Sequence, residues 1–180
     1  MVRPVGFSPR DARTIYEYNR AVFGRFVRRI RRLPWRTAVR DRGIGHGSLF
    51  QTLVHILNVH EVWLAYIVRG RTSDAELEAL FDDPRRAPKS WKEFDRYATR
   101  VWEEVDRTLR SESPRSLGRR VKVFWMAGNY TARDAVLQAT IEQAHHLGEV
   151  IGALWQDDTS PPDMTWLDLQ RAAGRRAHRD

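Results

Sequence analysis

Six histidines are the side chains of this 180-residue chain best suited to chemistry: His46, His55, His60, His145, His146 and His178. Cys is absent, which excludes thiolate metal sites, Cys nucleophiles, disulfides and iron–sulfur clusters. Glu142 and His146 stand four residues apart, so a helix puts a carboxylate and an imidazole on one face. Such a pair can grip one divalent cation from a single rigid element. Three protein ligands with positions left open are the usual plan of a catalytic metal site. His55 can supply the third from a facing helix. The spacing E-x-x-x-H is common by chance, and a competing reading makes Glu142 an ordinary surface partner and His55 a hydrogen-bonded core residue. His46 lies in Gly43-Ile44-Gly45-His46-Gly47, a loop able to approach the mouth of such a site. His60 follows His55 by five residues and is expected on another face.

The elements that must position these groups are helical. Ser8 caps a first helix over 9–32, with Pro9 at its start and Ile15, Tyr18, Val22, Phe26 and Ile30 at helical spacing. Ser48 caps a second, to about Arg69, which is apolar nearly all round and therefore central. An exposed acidic loop with one helical turn fills 71–88. Ser90 begins a third helix to about Arg110, with Trp91, Phe94, Val101, Trp102, Val105 and Leu109 in its stripe. Thr131 to Asp134 forms a capping box that opens a fourth, to about Gln156. One short β segment is expected near 120–126, from the alternation of Val121, Val123 and Trp125. The reading is all-α: a single domain over 1–180, a four-helix bundle with long crossover connections and a core at 9–156. A short C-terminal helix is expected over 163–174 and a frayed tail over 175–180.

These segments together resemble the DinB/YfiT-like metal-binding four-helix bundles, a superfamily shared with mycothiol-dependent maleylpyruvate isomerase. The resemblance runs from about residue 12 to residue 156. It rests on Tyr18-Asn19-Arg20, on Gly47 through Leu57 around His55, and on Thr131 onward into Glu142-Gln-Ala-His145-His146-Leu-Gly148-Glu149. The family's metal ligands are a His in the second helix and the first and last His of an H-x-x-H-H run in the last. By resemblance these fall on His55, Glu142 and His146, with Glu where His is commoner. A His/Glu/His set also resembles the zinc site of the isomerase relatives. The resemblance implies one divalent ion (Zn, Ni, Fe or Mn), a low-molecular-weight thiol such as mycothiol or bacillithiol as cosubstrate in several relatives, and a homodimer.

The chemistry that follows is activation of a thiol or water by an open cation, in a thiol-dependent transferase or isomerase or a hydrolase acting on a small molecule. His145, Asn58 and Gln138 are candidates to support the ligands, and Tyr18 to donate into the cavity. The net charge of +8 comes from 31 basic residues, only three of them Lys. It is concentrated in residues 1–42, so Arg20 and Arg25 on the first helix are candidate anion-binding groups. A non-catalytic regulatory, nucleic-acid- or anion-binding bundle is the alternative, although no helix-turn-helix, zinc-finger or aromatic RNA-binding signature is present. No apolar run reaches the roughly 20 residues of a membrane span. No secretory signal is evident and Cys is missing, which together give a cytoplasmic expectation.

Overall fold

The computed structural model describes residues 6–43, 45–70, 73–82 and 87–167. Its helices are α1 (Pro9–Arg31), α2 (Trp35–Ala38), α3 (Leu49–His60), α4 (Asp74–Asp82), α5 (Trp91–Ser111), α6 (Pro114–Leu117) and α7 (Ala132–Gln156). Each long helix begins where its cap is written. Ser8 and Thr131 form reciprocal capping boxes with Asp11 and Asp134. Ser48 and Ser90 accept from the backbone N–H of Gln51 and Glu93. The all-α reading holds. The β segment is confined to β1 (Arg120–Val121), paired antiparallel with β2 (Tyr130–Thr131) in the register Arg120↔Thr131. The 71–88 connection holds the nine-residue α4 rather than a single turn. Only the first residues of the 163–174 segment are described, and Trp166 and Leu167 are helical; the rest of it, the 175–180 tail and His178 lie outside the described residues.

The second helix is not uniform. After His60 the chain continues as a π-helical segment, Glu61–Ile67, in which the Val68 N–H reaches back to the Trp63 carbonyl. Among the described residues no helix is long and apolar enough to cross a membrane.

α3 packs against α7, α1 against α5 and α7, and the π-helical segment against α5 and α7. The core between them is filled by Phe23, Phe26, Phe94, Leu53, Ile56, Leu57 and Leu147, all at most 2% exposed. At about 1.5–3 kcal/mol per fully buried large apolar side chain, this burial outweighs surface pairs. Arg31–Asp95, both partners well exposed, is such a pair and contributes under about 1 kcal/mol.

Two polar networks cross the core. The Glu61 carboxylate, 1% exposed, accepts from the Tyr97 hydroxyl at 2.8 Å and Arg100 Nη1 at 2.6 Å. Burial and that neighbouring carboxylate push the Tyr97 hydroxyl up, so it stays protonated and donates. The second network begins at His60, which is fully buried, with its Nε2 2.7 Å from Gln143 Oε1. Gln143 Nε2 donates to the Asn19 carbonyl, and Asn19 Nδ2 donates to Thr140 Oγ1. Because the Gln143 amide nitrogen is committed as a donor, its oxygen must accept, and His60 carries its proton on Nε2. Nδ1 is then a bare lone pair, buried without a partner among the described residues.

Candidate metal centre

His55 faces the interior between α3 and α7, and His146 meets it from α7. Their ring centroids are 4.5 Å apart and their planes are nearly perpendicular. A third imidazole arrives from the connection between α2 and α3. The His46 ring stacks on His55 at 3.5 Å and lies 4.9 Å from His146. One ring nitrogen of each of these three residues falls within 4.8 Å of the others, and all three are half-buried.

The loop is bent to make this possible. Gly43, Gly45 and Gly47 all have positive φ. Gly45 is the tightest: a Cβ there would stand 2.7 Å from Glu149 Oε2. The loop is then tied to the end of α7. Arg40 and Arg42 both bind the Asp157 carboxylate, at 2.6 and 2.7 Å. Arg42 also donates to the Thr37 carbonyl, and its backbone N–H to that of Gly47. Gly45→Ala is therefore expected to cost about 1–3 kcal/mol in backbone strain. It also displaces Glu149. A thermal melt should fall by several degrees and metal affinity should weaken; an unchanged melting temperature rejects the strained-loop account.

Glu149 matters because its Oε2 is 3.0 Å from His146 Nδ1. An N–H there donates to the carboxylate and leaves the lone pair on Nε2, the arrangement that orients a metal-ligating His. His145, mostly exposed, reaches the other oxygen of Glu149 at 3.6 Å. Burial, then the neighbouring His46 and His146, push His55 down to about 3. Burial and His146 also lower His46, against the pull of Glu149. Both rings are therefore neutral at ordinary pH, which is the ligating form.

Of the expected ligands, His55 and His146 come together, while Glu142 falls outside the group of three. Its Oε1 accepts from Trp63 Nε1 at 3.2 Å and from Gln138 Nε2 at 2.8 Å. Helical spacing sets it on the His146 face, but the indole of the π-helical segment holds that oxygen. Gln138 thus supports Glu142 rather than a histidine. Asn58 donates to the Leu80 carbonyl, and Tyr18 to the Met164 carbonyl against the Trp166 ring. Arg20 lies beside Tyr16 and Arg25 donates to the Asp163 carbonyl, so neither is brought to the histidines. Glu149 shares the helical surface of Glu142 and His146 in the sequence, whereas nothing in the sequence points to Trp63 as a partner.

A family model of the DinB superfamily matches residues 12–150. The chain belongs to the DinB superfamily. No curated protein matches the sequence. In this DinB-superfamily chain the three-histidine group sits within the matched span, between the second and last long helices of the bundle.

Proposed function

We propose that this DinB-superfamily protein is a divalent-metal-dependent enzyme that activates a thiol or water against a small electrophilic substrate. The observation that carries the reading is the convergence of His46, His55 and His146, with Glu149 fixing the His146 ring. The donor set fits a cation. It offers three converging imidazoles, two of them held neutral by burial, and a carboxylate anchoring the third, a combination suited to Zn, Ni, Fe or Mn. A bound cation supplies Lewis acidity, lowering the pKa of a thiol or water at neutral pH.

The chain's own residues divide the remaining work. His55 and His146, on facing helices, form the rigid half of the grip. His46, on its glycine loop, closes the third side. Glu142, one turn from His146 with Oε1 engaged by Trp63 and Gln138, is the carboxylate assigned here to take the proton of an incoming thiol or water. The chain has no Cys, so a thiol nucleophile must come from a cosubstrate.

The test is a panel of low-molecular-weight thiols against small electrophiles, with the full chain as purified, after chelation and after metal is restored. Turnover that disappears on chelation and returns with the metal is expected. Activity indifferent to chelation overturns the reading.

A further inference from the structure

The second basic feature of the molecule lies away from the histidines. Arg25, Arg28, Arg29 and Arg32 recur at i, i+3, i+4 and i+7, one stripe along the end of α1. They form one wall of a groove of about 380 Å³, whose other wall is Ser160-Pro161-Pro162 after α7. That volume is of ligand size. Among the described residues no carboxylate lines it.

Two of the four guanidinium groups are held in place. Arg25 Nη1 donates to the Asp163 carbonyl at 3.0 Å, and Arg29 Nε to the Ser160 carbonyl at 2.9 Å. Each keeps its other N–H donors for a further acceptor. Arg28 and Arg32 are exposed and make no ion pair among the described residues. The negative end of the α1 dipole favours basic residues in the last turn. It does not account for a facing wall that tethers two of them, nor for four like charges as mutual i+3 and i+4 neighbours, which repel when nothing lies between them.

We propose that this groove binds an oligophosphate group of a small ligand. The helical rise spreads the four arginines over about 10 Å, longer than one phosphate and matched to a chain of two or three. Arginine forks donate to phosphate oxygens two at a time. The groove is shallow and open, walled on one side by Pro161 and Pro162, and its arginine stripe has the length of a short phosphate chain rather than of a duplex backbone.

The experiment titrates inorganic phosphate, pyrophosphate and tripolyphosphate into the full chain by calorimetry at fixed ionic strength. Affinity should rise along that series. R28A/R32A, at two exposed positions without an ion pair among the described residues, should lose about tenfold or more for tripolyphosphate with little change in melting temperature. The charge-matched control K92A/R96A, on exposed positions of α5, should lose little. Equal loss in the control reduces the effect to net charge and overturns the site. Undiminished binding by R28A/R32A places the phosphates elsewhere, the histidine group included, and also overturns it. Displacement of tripolyphosphate by a short DNA duplex that binds more tightly through the same arginines identifies a nucleic-acid backbone as the occupant, against the proposal.

Discussion

His55→Ala and His146→Ala are each expected to reduce bound divalent metal from near one ion per chain to background. The measurement is elemental mass spectrometry on protein purified without an affinity tag. The two rings come from different helices, so each truncation leaves only one of the two rigidly mounted imidazoles. Loss of an orienting partner alone typically costs about 10–100-fold in affinity, and loss of a ligand costs more. Circular dichroism separates loss of metal from loss of fold, and His146→Gln, with similar bulk, repeats the test with less cavity. Retention of metal by both variants rejects the site.

The third ligand is settled by a comparison. In the observed geometry His46 belongs to the group and Glu142 does not. His46→Ala is expected to lower metal affinity about tenfold or more, and Glu142→Ala by less. The reverse order reassigns the position to Glu142, as the resemblance of the sequence to His/Glu/His relatives implies.

The second large effect is on stability. Burial pushes His60 down to about 4, from an ordinary value of 6.5, against the modest support of its Gln143 bond. The unfolded chain therefore binds this proton between pH 6.5 and 4 while the native chain does not. Stability rises with pH across that window and falls as the solution is acidified through it. The change amounts to about 3 kcal/mol over the window, at roughly 1.4 kcal/mol per pH unit. His60→Gln cannot titrate and keeps an amide donor within reach of Gln143. Urea unfolding of both proteins from pH 7 to pH 4 isolates the His60 contribution, because the other groups are common to both. The wild-type curve should fall more steeply by about that amount. Parallel curves overturn the assignment.

The helices were legible because each start carries its own chemistry. Ser8, Ser48, Ser90 and Thr131 cap as their sequence contexts require. The π-helical segment was not legible. Leu49 to Val68 is apolar around most of its circumference, so no stripe registers a change of winding. The β segment was visible as alternation, but pairing stops at Val121, and the following residues turn toward Gly128 with its φ of 147°.

At the site, His55 and His146 were readable from facing helices. His46 was harder, because its path depends on three positive-φ glycines and on arginines reaching Asp157, more than a hundred residues away. Periodicity describes neither. Glu142 shows the complementary limit. An i,i+4 spacing fixes which face a carboxylate shares, not which neighbour claims it, and here the neighbour is the Trp63 indole.

The histidine group is assembled across the length of the chain. His46 and His55 precede the midpoint, whereas His146 and Glu149 belong to the last long helix. A growing polypeptide thus exposes two imidazoles well before their partners exist, and the pocket closes only when α7 docks. On the proposed function, metal capture is then a late event in maturation and a reporter of completed folding. Chains truncated before residue 146 should emerge from synthesis without the ability to retain the ion, whatever helix content they reach.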